Sequence, residues 1–154
     1  MEQESILQEL PTGKLFKARS IYFATFLGGP FVAGYLISSN YKAFNEQQNA
    51  IKTWVFTFIS TILMLIFLYF INSRPGPKIP GLLFPLIYSI ITYNIVNIAQ
   101  KEKIQAYISA GGQFHSLSRI VIVTIIGLAI SLVGLLIIEN IIDLFLSEGF
   151  IINY

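Results

Sequence analysis

Apolar residues gather in four long runs, at 21–38, 54–71, 81–98 and 120–138, and no Asp, Glu, Lys or Arg falls inside any of them. A helix needs about 20 apolar residues to cross the hydrocarbon of a bilayer. Each run is close to that length. Polar stretches separate them, and two of these keep helical spacing of their own. Tyr41, Phe44, Gln48 and Ile51 recur every three or four residues, as do Ile104, Tyr107 and Ile108. The pattern predicts an all-α four-transmembrane-helix bundle with amphipathic linker segments after spans one and three. Three regions follow: a polar, interfacial N-terminal segment at 1–20, a four-span membrane domain at 21–147, and a C-terminal tail at 148–154.

The runs differ in their polar punctuation. The first carries Gly28-Gly29-Pro30. Proline lacks an amide hydrogen and crowds the preceding turn, so it kinks or breaks a helix. Ala24, Gly28, Gly29, Pro30, Ala33 and Gly34 also form pairs four apart, a spacing that lets helices approach closely. Two readings stay open: a kink with helix packing, or a broken helix whose freed backbone lines a binding site. The second run is plain, with Trp54 and Tyr69 placed as interfacial anchors. The link at 72–80 holds Pro75, Pro77 and Pro80. Being so short, it makes spans two and three antiparallel neighbours. The third run has Pro85 in its first turn, where proline is tolerated, and then Asn94 and Asn97. Polar side chains in a span generally face a partner, so these two asparagines are a candidate polar path or a pair of interhelical hydrogen bonds. Ser118 is a candidate N-cap for span four. Pro30 and Pro85 hold comparable places in the two halves, which suggests a weak internal repeat of two hairpins. Ahead of span one, Ile6, Leu7 and Leu10 suggest a short amphipathic helix, followed by a basic collar of Lys14, Lys17 and Arg19.

Composition agrees with a chain dissolved in lipid. Of 154 residues, 55% are hydrophobic and 12% are charged, about half the charged share of a soluble domain. The net charge of +2 comes from scattered basic residues, which argues against a nucleic-acid partner. The chain has no cysteine, so disulfide, thiolate and Cys-metal chemistry are excluded. With four spans, both termini share one side. Lys14, Lys17, Arg19, Arg74 and Lys78 then oppose Lys42, Lys52, Lys101, Lys103 and Arg119, a tie that leaves orientation open. The collar before span one tips the expectation towards cytoplasmic termini.

Candidate chemistry is sparse. Glu139 and Asp143 share a helix face near the membrane edge, which fits a solvated face better than a metal site. His115 is the only histidine, and catalysis by it would need a carboxylate such as Glu139 or Asp143 nearby. No phosphate-binding loop, nucleophile elbow, dinucleotide fingerprint or zinc-protease motif occurs. The expectation is therefore no catalytic residue, no metal and no cofactor.

The segment Phe23-Ala24-Thr25-Phe26-Leu27-Gly28-Gly29-Pro30, followed by Ala33-Gly34-Tyr35-Leu36 and Asn40-Tyr41-Lys42-Ala43-Phe44, resembles small, uncharacterised bacterial multi-pass membrane proteins. Gly111-Gly112 ahead of the last span is similar too. The resemblance implies a helical membrane fold and a bacterial inner (cytoplasmic) membrane, and no function comes with it. The sequence thus predicts a small, non-enzymatic integral membrane protein. It would be a structural or accessory subunit that packs with itself or with a membrane partner. The alternative is a small channel or carrier whose polar path is lined by the broken first span and Asn94/Asn97. The lipid bilayer is its expected surround in either case.

Overall fold

The structure is a computed structural model that describes residues 13–73 and 80–147. The suggested amphipathic helix around Ile6–Leu10, most of the proline-rich link and the tail at 148–154 lie outside the described residues. Among the described residues, 85% are helical and no strand forms. The helices are α1 (Ala18–Gly28), α2 (Pro30–Ala43), α3 (Gln47–Ser73), α4 (Leu83–Ser109) and α5 (Leu117–Ser147).

Three of these helices, α3, α4 and α5, are long and apolar enough to cross a membrane. The predicted count of four is corrected here. The first apolar run is divided at Gly29 into helices of 11 and 14 residues, about 16 and 21 Å long at 1.5 Å per residue. Their arrangement follows from one contact. Phe16, just before α1, gives its backbone N–H to Asn40 Oδ1 near the end of α2 at 2.8 Å, and its carbonyl accepts from Asn40 Nδ2 at 3.0 Å. A merely kinked rod would hold those residues roughly 35–40 Å apart. Therefore α1 and α2 fold back on each other as a helical hairpin, with both open ends at one end of the molecule.

The turn is made by Gly29, with φ 78° and ψ −168°. Its N–H closes α1 on the Thr25 carbonyl at 2.8 Å. Pro30 then occupies the first turn of α2, where a missing N–H breaks no helical bond. The internal repeat fails at the same point. Both prolines lie in the first turn of a helix, as expected for Pro85, but Pro30 follows directly on α1 at a hairpin tip whereas no described helix runs into α4 in that way.

The hairpin is the hub of the molecule. The buried residues include Ile21, Ala24, Val32, Ala33 and Leu36. On α2, α3 approaches at Gly34, where an added Cβ would stand 2.5 Å from Thr57 Oγ1. On α1, α5 approaches at Gly28, where an added Cβ would stand 2.9 Å from the Thr124 carbonyl. Tyr22 of α1 meets Tyr93 of α4 edge-on at 5.9 Å. The antiparallel neighbours α3 and α4 meet through side chains, Phe67 with Phe84 at 5.7 Å and Ser60 with Tyr88 at 3.5 Å. The outer faces of α3, α4 and α5 expose Phe, Ile, Leu and Val in long belts, far more than a water-soluble monomer displays.

At the open end of the hairpin the chain is tied down by polar groups. Besides its bonds to Phe16, Asn40 donates to Gln100 Oε1 at 3.1 Å, and Gln100 Nε2 donates to the Ile37 carbonyl at 3.2 Å. Leu15 bridges to the segment before α5, its N–H to the Gln113 carbonyl at 3.3 Å and its carbonyl from the His115 N–H at 3.0 Å. Tyr107 closes the α4–α5 connection by donating to the Gln113 carbonyl at 2.8 Å. The two linkers are not separate amphipathic segments. The first is a tight turn with Asn45 at φ 61°, after which α3 begins at Gln47; the second is mostly the end of α4. Helix α5 starts at Leu117, so Ser118 lies inside it rather than capping it.

Candidate functional site

The hairpin tip lies beside the middle of α5, and the hollow next to it reaches the first turn of α4. Gly29 faces Ser131, halfway along α5, and Ser131 Oγ donates to the Gly28 carbonyl at 3.3 Å. A helix that ends and restarts inside the molecule leaves backbone groups outside its own ladder. Here the tip places such groups beside open space.

Besides a hollow of about 310 Å³ on the outer side of α1 at Arg19, Tyr22, Phe23 and Tyr93, two cavities flank the hairpin on the side of α3 and at its tip. One, of about 300 Å³, runs between α2, α3 and α4 from a polar mouth at Tyr41, Asn49 and Lys52 inward past Thr53, Thr57 and Thr92. The second, of about 200 Å³, lies at the tip, against Thr25, Gly28, Gly29, Pro30, Met64, Phe84, Leu128 and Ser131. Tyr88 lines both and stands between them. Lys52 at the outer mouth is the single charged residue on either lining, and none lines the tip cavity.

The hydroxyls along this route fall into two kinds. Thr53, Thr57, Thr61 and Thr124 each donate to the carbonyl four residues back, at 2.6–2.8 Å, the ordinary way for a helix to absorb them. Thr25 does not. Its hydroxyl is fully buried and has no hydrogen-bond partner, although the residue lines the tip cavity.

Of the residues singled out in sequence, Ala24, Gly28, Pro30, Ala33 and Gly34 are buried in the hairpin and Gly29 is half-buried at its tip. They pack against helices of their own chain. Asn94 is exposed and donates to the carbonyl of Ile90 in its own helix at 3.0 Å; Asn97 is half-buried. Neither lines the two cavities described above. His115 stacks on Phe16 with ring centroids 4.2 Å apart. Burial, then the charges of Arg119 and Lys14, hold its pKa below the ordinary 6.5, against a backbone hydrogen bond at Lys14. The carboxylates it would need are distant. Asp143 lies about 39 Å along α5 from its start at Leu117, where Tyr69 donates to it at 3.4 Å. Sequence reasoning missed Thr25, Tyr88, Thr92 and Ser131. Lone hydroxyls in apolar runs carry no signal, because the preceding turn usually satisfies them.

No protein-family model, curated protein or solved structure matches this chain.

Proposed function

We propose that the chain is a small integral membrane protein of the channel or carrier kind, non-enzymatic, which passes or holds small uncharged polar solutes beside a re-entrant helical hairpin. The observation that carries this is the broken backbone of the tip, which lines one of two cavities that share Tyr88. Irregular backbone at membrane depth is tolerated where it is covered by protein or lines a cavity. The absence of charge at the tip cavity fits a neutral solute, since an ion there would lack both water and a countercharge. A scaffold acting through the small residues of the first run would need that face free, and α3 and α5 fill it.

The hairpin also bears on orientation. Its open end, with the segment before α1 and the α4–α5 connection, holds Lys14, Lys17, Arg19, Lys42, Lys52, Lys101, Lys103 and Arg119. Arg74 and Lys78 fall in sequence between the end of α3 and the start of α4, and those two helix ends lie opposite the open end. The tie expected from four spans becomes eight against two. The positive-inside rule then sets the open end of the hairpin in the cytoplasm, in a bacterial inner membrane. The end of α5 faces the other side, which replaces the expectation of two cytoplasmic termini.

Flux into proteoliposomes tests the path. Glycerol and urea should enter faster than into empty liposomes, and potassium and chloride should not. Thr92→Phe, which puts a ring into the larger cavity, should slow neutral flux several-fold. Equal rates with and without protein for both neutral solutes overturn the proposal.

A further inference from the structure

The tip cavity has the makings of a selective station. Its volume of about 200 Å³ would hold some six or seven water-sized groups at about 30 Å³ each. Most of its wall is carbon, supplied by Met64, Phe84 and Leu128 among others. Three hydroxyl-bearing residues, Thr25, Tyr88 and Ser131, and the Gly28 carbonyl interrupt that wall, and the Tyr88 hydroxyl is turned to Ser60. Thr25 has a hydroxyl with no partner, at 0% exposure. Ser131 spends its proton on the Gly28 carbonyl, so its oxygen retains lone pairs for an incoming donor.

An unpaired buried hydroxyl gives up its hydrogen bonds to water and gains none in return. The same molecule shows how that cost is ordinarily avoided, in the back-bonds of Thr53, Thr57, Thr61 and Thr124. Thr25 and Ser38 both forgo this, and of the two only Thr25 lies on a cavity described above, one large enough for a ligand. From this we infer that Thr25 and Ser131 form a binding site for a small alcohol or polyol, a molecule with hydroxyls on one edge and carbon on the other. The ligand's hydroxyls accept from Thr25 and donate to Ser131, while its carbon edge lies on the apolar wall. Urea offers no apolar edge and water no carbon, so both bind less well there. Ionised solutes find no countercharge. This deepens the proposed path by naming the solute class, and it rests on that path only for the flux arm below.

The test pairs Thr25→Val with Thr25→Ser. Valine keeps the shape and removes the hydroxyl; serine keeps the hydroxyl. In detergent without ligand, Thr25→Val should melt at the same temperature as the parent or higher, because it removes an unsatisfied group. Added glycerol should raise the melting temperature of the parent and of Thr25→Ser more than that of Thr25→Val, and the general solvent effect of glycerol cancels in the comparison. In proteoliposomes the ratio of glycerol to urea permeability should fall several-fold in Thr25→Val and persist in Thr25→Ser. Identical glycerol shifts in all three proteins overturn the site. Flux that persists with an unchanged ratio also overturns it and leaves the path standing. No neutral flux together with a Thr25-dependent shift removes the path and leaves the site.

Discussion

Gly29 holds the one backbone conformation on which the hairpin turns, φ 78° with ψ −168°. That region is open to glycine and closed to residues with a Cβ, at about 1–3 kcal/mol for one forced into it. An added methyl would also stand 3.0 Å from Ser131 Oγ, crowding the contact between tip and α5. Gly29→Ala should therefore lower the melting temperature in detergent clearly, in line with a loss of about 1–3 kcal/mol. Gly81→Ala is the matched control, since nothing lies within 4 Å of the added carbon and no positive φ is required there. Equal melting of the two variants would refute the role given to Gly29. The break at this residue was legible in the sequence, because Gly-Gly-Pro announces it. Its direction was not. Whether a chain bends or reverses there depends on Phe16 meeting Asn40, a pairing 24 residues apart that no local pattern encodes.

At the scale of elements, the hairpin packs against the three long helices, and the polar tie at its open end fastens it to α4 and to the segment before α1. Asn40 is fully buried, and its amide is used on both sides, accepting from Phe16 and donating to Phe16 and Gln100. A fully satisfied network in low dielectric is strong, and a partly satisfied one is worse than none. Asn40→Leu would strand the Phe16 N–H and carbonyl together and should cost at least about 2 kcal/mol. The visible consequence is release of the segment before α1. Trypsin should cut the variant rapidly after Lys14 and Lys17 while leaving the parent largely intact, and equal cutting would show that the tie does not hold this segment. The long helices themselves were foreseen from run length alone, because apolar length is what a bilayer selects. Their ends were not: α3 starts at Gln47, α4 continues to Ser109 and α5 to Ser147, since polar helix formers extend a helix beyond its apolar core at little cost. Asn94 was chosen for polarity without knowledge of its face, and the fold turns it outward to bond its own helix.

For the whole molecule, the proposed re-entrant placement of the hairpin changes the parity of the chain. Four crossings return the end of the last helix to the side where the first began; three crossings and a re-entrant pair do not. The same ten basic residues that balance under the first topology divide steeply under the second. Basic residues near helix ends resist passage to the outer face, so a steep division favours one orientation over dual insertion. The cysteine-free sequence makes this directly measurable, because any single introduced thiol is unique. Ala110 is exposed just after α4, at the hairpin's open end, and Asn140 is exposed near the far end of α5. A membrane-impermeant maleimide added to intact spheroplasts should label Asn140→Cys and spare Ala110→Cys, and inverted vesicles should give the opposite pattern. Four crossings would also set these two sites on opposite faces, so the deciding site is Gly13→Cys, exposed ahead of α1: it should label with Ala110→Cys, and labelling with Asn140→Cys instead would restore an even number of crossings and remove the re-entrant hairpin. Labelling of each site from both faces would mean the chain inserts in two orientations, and the charge division would then have no directing effect.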